Sequence, residues 1–284
     1  MSCARFVLPL RHKVLALETP RLMGIINVTP DSFSDGGEAL EPEAALRRAG
    51  RLIEEGADIL DIGAVSTRPG APEVSTEEEL SRLLPALQRI RKAFPDVPIS
   101  VDTYRGAVAR IAIEEGADLI NDISGGQFDP SLWTVVAHYK VPYVLMHIQG
   151  TPQTMQLNPT YSNVVEEVWQ YFVDKLNALR QMGIEDVIID PGFGFGKTVE
   201  HNYALFRALP LFRRLGRPIL IGISRKSMLW RPLQATPHTV LPAMSALHWE
   251  ALRKGVCLLR VHDVAPARQL ITLFKVWNSF ASED

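Results

Sequence analysis

The chain of 284 residues carries 30 lysines and arginines against 32 aspartates and glutamates, a formal net charge of −2. That balance leaves no basic field for nucleic acid or an anionic membrane surface, so a small-molecule ligand is expected. The length admits one or two domains, and a single α/β barrel of about 250 residues also fits. Cys3 and Cys257 lie far apart without metal-ligand spacing, a pattern that suits a reduced, cytoplasmic protein with Cys257 buried in a strand. The opening MSCARFVLPLRHKV has only a brief apolar patch before Arg11, His12 and Lys13. No later run approaches about 18 uncharged apolar residues, so nothing marks the chain for export or insertion.

Along the chain, short apolar runs alternate with helical periodicity. The runs are Leu22 to Val28, Asp58 to Gly63, Pro98 to Thr103, Asp118 to Ser124, Tyr143 to Ile148, Val187 to Pro191, Pro218 to Ser224 and Val256 to His262. Strands of this kind are covered on both faces, and their number predicts a closed parallel (β/α)8 TIM barrel. An open doubly wound sheet is the alternative. One domain is expected over 1–284, with residues 1–20 as an N-terminal extension. Ser75 and Glu78 have capping-box spacing ahead of Leu80, Leu83, Leu84, Leu87 and Ile90, and Pro85 predicts a kink. Asn163 predicts the cap of a helix whose Val165, Val168, Phe172, Leu176 and Leu179 form a core stripe ending at Gly183. The segment EEGAD occurs at 54–58 and again at 114–118, each time as helix end, glycine turn and strand start.

Polar residues collect at the far ends of these runs: Asn27, Asp61, Asp102, Asn121, His147, Asp190, Ser224, and Arg260 with His262. A barrel gathers those ends on one face, where polar side chains point to catalysis more than to stability. A satisfied structural hydrogen bond accounts for any one of them alone, but not for the set. The set has two chemical characters. Asp102, Asn121, Asp190 and Lys226 suit a heterocycle with a guanidine-like edge and a carbonyl. Arg68, Arg260 and His262, with Asn27 and the hydroxyls of Ser66 and Thr67, suit a phosphate ester or pyrophosphate. Magnesium (Mg2+) fits at the anion end, because it needs few protein ligands and Asn27 offers an amide oxygen.

The segment VIIDPGFGFGK, Val187 to Lys197, delivers the carboxylate of Asp190 into a glycine-rich loop. It is not a P-loop, because Pro191 stands where the first glycine is required, and the dinucleotide fingerprint fails at Lys197. Its glycines are expected to leave room for a flat ligand, and Lys197 reads as a loop or surface residue. Two further loops, Asn27 to Gly37 and Ser66 to Ala71, have the Gly, Pro, Ser and Asp content of segments that cover a substrate.

Taken in order, MGIINVTPDSFSDGG, STRPGA, SVDT, INDIS, MHIQGTPQTM, DPGFGFGK, GISRKSM and RVHDV resemble the successive motifs of the bacterial dihydropteroate synthases, a pterin-binding TIM-barrel family. The match runs from about Gly24 to Val264. The resemblance implies a transferase of folate biosynthesis that condenses 6-hydroxymethyl-7,8-dihydropterin diphosphate with 4-aminobenzoate, giving 7,8-dihydropteroate and pyrophosphate. It implies pterin contacts at Asp102, Asn121, Met146, Asp190 and Lys226, with Phe195 packing nearby. It implies diphosphate contacts at Asn27, Thr67, Arg68, Arg260 and His262, with magnesium at Asn27. It puts 4-aminobenzoate near Phe33, Thr67, Pro69, Phe195, Lys226 and Ser227, where sulfonamides would compete. Asp102, Lys226, Arg260 and His262 are the expected catalytic group, and a homodimer is expected. The mechanism inferred is dissociative substitution at the pterin methylene, in which pyrophosphate leaves before the aromatic amine attacks. It needs no covalent enzyme intermediate.

One position departs from the family. Ala64 and Val65 stand where Gly-Glu usually precedes Ser-Thr-Arg-Pro, which removes a carboxylate beside the second loop and bears on loop geometry, sulfonamide response and rate. The segment from Trp230 to Met244 also follows the family loosely. Two rivals stay open. A pterin-dependent methyltransferase barrel would have no diphosphate for Arg68, Arg260 and His262 to hold. A noncatalytic or altered-specificity pterin-binding homologue is kept open by Val65.

Overall fold

Each apolar run becomes a strand in the computed structural model, which describes residues 6–29, 42–67 and 70–280. A short antiparallel hairpin comes first, Val7–Pro9 (β1) with Val14–Ala16 (β2). The parallel strands follow: Arg21–Asn27 (β3), Ile59–Gly63 (β4), Ile99–Asp102 (β5), Leu119–Asp122 (β6), Tyr143–Met146 (β7), Val187–Asp190 (β8), Leu220–Ile221 (β9) and Leu258–Val261 (β10). They pair in the order β8-β7-β6-β5-β4-β3-β10-β9, and a parallel bridge between Ile189 and Ile219 joins the two ends. The predicted TIM barrel is the observed fold, and the open sheet is excluded by that closure.

Successive residues of a strand face opposite sides. Met23, Ile59, Leu119, Val144, Ile188, Leu220 and Leu258 form one buried cluster, the lower filling of the barrel. Their neighbours Leu60, Ile120, Leu145, Ile189 and Leu259 belong to the other large cluster, packed outward under the helices. The hairpin contributes Leu8 and Leu15 to the inner cluster, and Leu17, just after it, joins them. The N-terminal segment therefore forms the barrel floor, each buried leucine contributing roughly 1.5–3 kcal/mol.

The repeated EEGAD segments do equivalent work at that lower end. Gly56 and Gly116 both have positive φ, +99° and +109°. Asp58 Oδ2 accepts from Leu22 N at 2.8 Å, and Asp118 Oδ2 accepts from Ile99 N at 2.8 Å. An arginine completes each copy: Arg268 donates to Gly56 O and Asp58, and Arg91 donates to Gly116 O and Asp118.

Of the helix signals, the capping box is made only in part. Ser75 Oγ accepts from Glu78 N at 3.1 Å, but the Glu78 carboxylate takes Arg82 as its partner, so only half of the capping box is made. Pro85 lies inside a helix that continues from Thr76 to Ala93. Asn163 caps Val164–Gln181 by accepting from Val165 N and Glu166 N, and Gly183 follows the helix at φ +77°. Asn163→Ala is expected to cost about 1 kcal/mol, read as a lower denaturation midpoint with unchanged activity. The loosely matching segment ends in the helix Leu241–Arg253, and the last helix is Val264–Phe280. Cys257 is buried one residue before β10. Among the described residues, no helix is long and apolar enough to cross a membrane.

Candidate active site

The alternation that fills the floor also builds the site. Two residues beyond Ile59, Leu119, Val144, Ile188 and Leu258 come Asp61, Asn121, Met146, Asp190 and Arg260. The side-chain period of a strand is two residues, so these form the next layer up inside the barrel. Asp102 joins them at the end of β5, in register with Asn121 on one side and Gly63 on the other.

The layer is held by an ionic network. Arg260 Nε donates to Asp61 Oδ2 at 2.6 Å and Nη2 to Asp102 Oδ2 at 2.8 Å, while Asn121 Nδ2 donates to Asp61 Oδ2 at 3.1 Å. Burial alone would lower the basicity of Arg260, but Asp61 and Asp102 outweigh it and hold its pKa above the ordinary value. The Asp102 carboxyl is pushed up to about 7, chiefly by burial, with Arg260 opposing and Asp61 adding to the rise. Arg260, expected at the diphosphate, is thus drawn into the group expected to read the ring.

Across the layer, Asp190 and Lys226 face each other electrostatically. Burial raises the Asp190 pKa against the pull of Lys226, and burial lowers Lys226 to about 8 against the pull of Asp190. Lys226 Nζ donates to Phe193 O at 2.5 Å and lies 4.5 Å from the centroid of the Phe195 ring. Phe195 in turn packs on a small apolar cluster of Ile123, Met146, Ile148 and Met155, with Tyr104 and Phe128 at its edge. Ser227 begins the short helix that follows Lys226 and is half-buried.

Two expectations for the PGFGFGK loop are corrected. Lys197 is not a surface residue. It is 2% exposed, and its Nζ lies 2.9 Å from His147 Nδ1 and donates to Gly192 O at 3.0 Å and Phe195 O at 2.9 Å. It pins the loop from behind, and burial moves both Lys197 and His147 toward their neutral forms. Nor do the glycines make room for a ligand. A Cβ on Gly192 would stand 1.9 Å from His147 O, one on Gly196 2.3 Å from Gln149 O, and one on Gly194 3.1 Å from Lys226 Cδ. The space they leave is filled by the protein's own backbone and by Lys226.

At the other end, His262 Nδ1 lies 3.0 Å from Ser224 Oγ, which also accepts from His262 N at 3.3 Å. Ser224 Oγ thus meets both the backbone N–H and the ring of His262, and fixes the imidazole at the end of β10. His262 is lowered to about 3, by burial first and then by Arg260, so its ring is uncharged at neutral pH. Arg48 Nη2 donates to His262 O at 2.5 Å, and Arg225, at φ +59°, pairs with Asp263 at 2.7 Å. Asn27 ends β3 with Thr67 on the neighbouring loop, both half-buried. Phe33, Arg68 and Pro69 lie outside the described residues.

The family model of pterin-binding enzymes matches residues 23–262. A dihydropteroate synthase of Synechocystis sp. is 46% identical over 252 residues, which cover 88% of this chain and 87% of that protein. The chain belongs to the dihydropteroate synthase family. The dihydropteroate synthase of Xanthomonas albilineans with 4-aminobenzoic acid matches the fold at a TM-score of 0.91 and 41% identity, covering 97% of this chain and 99% of that one. The Yersinia pestis dihydropteroate synthase with a sulfonamide drug complex matches at 0.91 and 39% identity, covering 96% and 100%.

Within this dihydropteroate synthase family member, the departure at Ala64 and Val65 has a plain setting. Ala64 is buried at 1% and its carbonyl accepts from Arg82 at 3.4 Å, while Val65 is half-buried. The residues that sequence reasoning left out of the site are Lys197 and the apolar Ile123, Ile148 and Met155. Strand-end position carries a signal for Ile123 and Ile148 alone, since each lies just past a strand.

Proposed function

We propose that this chain condenses 6-hydroxymethyl-7,8-dihydropterin diphosphate with 4-aminobenzoate to give 7,8-dihydropteroate and pyrophosphate. The observation that carries this reading is the buried layer in which Asp102, Asn121, Asp190, Lys226 and Arg260 meet beside Met146. Carboxylates and an amide match the amino-pyrimidinone edge of a pterin, and Lys226 matches its carbonyl. At the anion end Asn27, Thr67, Arg68 and His262 hold the diphosphate. When its carbon–oxygen bond breaks, the electron pair leaves with pyrophosphate and positive charge develops on the pterin methylene. Asp102 stabilises that charge. The amine nitrogen, held near Phe33, Pro69, Phe195 and Ser227, then forms the new carbon–nitrogen bond and gives up a proton. A pterin-dependent methyltransferase barrel has no diphosphate for the anion end to hold.

Magnesium belongs to the same reading. Among the described residues no group of three or more His, Cys, Asp or Glu can hold a metal. The single amide of Asn27 fits an ion coordinated mainly by diphosphate oxygens and water. When bound, such an ion neutralises charge on the leaving group. A homodimer is supported by the exposed Leu273, Val276, Trp277 and Phe280 along the last helix, an apolar face suited to a second copy. Residues 1–284 are taken as one domain, and the core thiol of Cys257 suits the reducing cytoplasm.

Purified protein is expected to release pyrophosphate from the pterin diphosphate only when 4-aminobenzoate is present, and to complement a folate-synthesis mutant. Release that ignores the amine removes the synthase reading. The pH profile follows from two groups of this layer: Asp102 must be ionised, above about 7, and Lys226 protonated, below about 8. kcat/KM is therefore expected to trace a narrow bell between those limbs. A profile flat from about pH 6 to 9 removes both roles. The same shifts set stability. Asp102 titrates at 3.8 unfolded and about 7 folded, so its contribution falls as pH rises between them. Lys226 titrates at 10.5 unfolded and about 8 folded, so the cost of its burial is full below 8 and fades toward 10.5.

A further inference from the structure

Asp61 stands at the centre of the ionic network, and none of the roles above uses it. It is the third residue of β4 and 0% exposed, between Leu60 and Ile62, which are also 0% exposed. Its Oδ2 serves both Arg260 Nε and Asn121 Nδ2, at 2.6 and 3.1 Å. Its Oδ1, equally buried, has no hydrogen-bond partner among the described residues. Stability alone is served as well by an apolar set of residues in place of the whole network. A buried carboxylate loses its hydration, and exchanging a buried ion pair for apolar groups is often neutral or stabilising. An oxygen without a partner adds to that cost.

We propose that Asp61 is a positioning residue of the condensation, holding Arg260 and Asn121 in the orientation in which they meet the pterin; this rests on the synthase reading. An amide side chain fits its space equally well in two orientations that exchange donor for acceptor. Donation of Nδ2 to Asp61 selects one of them and leaves Asn121 Oδ1 as an acceptor for a ring N–H. Arg260 is fixed in the same way. Its planar guanidinium spans Asp61 on β4 and Asp102 on β5, two anchors that define its plane. With Asp61 removed, Arg260 keeps one anchor and can pivot. The trio also carries one net negative charge when both carboxylates are ionised, close to where the pterin becomes cationic.

The test is a double-mutant cycle on the full chain, with Asp61→Asn and Asn121→Ala made singly and together and kinetics measured for both substrates. Asp61→Asn is expected to lower kcat/KM for the pterin diphosphate about 100-fold, the scale of a small misplacement of binding groups. KM for 4-aminobenzoate is expected to stay within about 3-fold. Adding Asn121→Ala to Asp61→Asn is expected to cost much less than it costs the parent. Burial does most to raise the Asp102 pKa and Arg260 opposes it, while Asp61, Glu79 and Asp122 each add to the rise, so removing the Asp61 charge is expected to move the acid limb of the profile to lower pH. Additive losses with an unmoved acid limb overturn the proposal. Asp61→Asn keeps an oxygen that can accept from Arg260 and Asn121 and leaves Asp102 as the counter-charge, so its thermal midpoint is expected to fall only modestly. Failure of both Asp61→Asn and Asp61→Ala to fold identifies a structural residue and overturns the proposal as well. A parent without amine-dependent pyrophosphate release overturns the synthase reading and this role with it, whereas an active parent with additive losses overturns the role of Asp61 alone.

Discussion

Lys226→Ala is expected to reduce turnover by about 10³-fold or more while the protein stays folded. Three contacts disappear together: the bond to Phe193 O at 2.5 Å, the position over the Phe195 ring at 4.5 Å, and the charge opposite Asp190. The loss falls on chemistry more than on stability, because burial already holds the ammonium down to about 8 and its removal relieves that cost. Asp190 loses the cation that lowers its pKa, so the variant is also expected to bind the pterin ring with a carboxyl further toward its neutral form. Steady-state pyrophosphate release with both substrates, set beside a thermal midpoint, checks both halves. A near-normal rate takes Lys226 out of the site.

Gly192→Ala is expected to destabilise the protein by at least about 3 kcal/mol, or to prevent its folding. The residue has φ +71°, and its new Cβ would stand 1.9 Å from the backbone oxygen of His147. A backbone atom cannot step aside as a flexible side chain can. The loop would have to lift, breaking the Gly192 N–H bond to Asp190 Oδ1 at 2.8 Å and the bond from Lys197 to Gly192 O. Gly194→Ala makes the contrast: at a similar φ of +80° its Cβ meets only the flexible side chain of Lys226, nearest at Cδ, 3.1 Å, so a smaller loss of stability and a larger loss of rate are expected. Chemical denaturation of the pair decides, and a Gly192→Ala protein within about 1 kcal/mol of the parent contradicts the packing of this loop on β7.

Some of this site was legible before any coordinates. Asp102, Asn121, Asp190 and Arg260 stand at strand ends, and the alternation that buries Ile59, Leu119, Ile188 and Leu258 carries Asp61, Asn121, Asp190 and Arg260 into the same interior. Other features gave no sign. Lys197 looks like a solvated loop lysine, because its partners His147, Gly192 and Phe195 come partly from another strand end and partly from carbonyl oxygens that no side-chain pattern records. The glycines of PGFGFGK announce a close approach, but not what approaches.

The chain alone determined whatever is local or periodic. Alternation of side chains along strands decided which residues enter the barrel, apolar runs decided where strands lie, and Asn163 or Gly183 decided where a helix starts and stops. Tertiary structure decided whatever depends on which elements become neighbours. Only closure of the barrel brings Arg260 of β10 between Asp61 of β4 and Asp102 of β5, and only the packing of the loop after β8 against the end of β7 buries Lys197. A hydrogen bond or a shifted pKa is a property of two or more groups at a few ångströms, and sequence distance does not encode that separation.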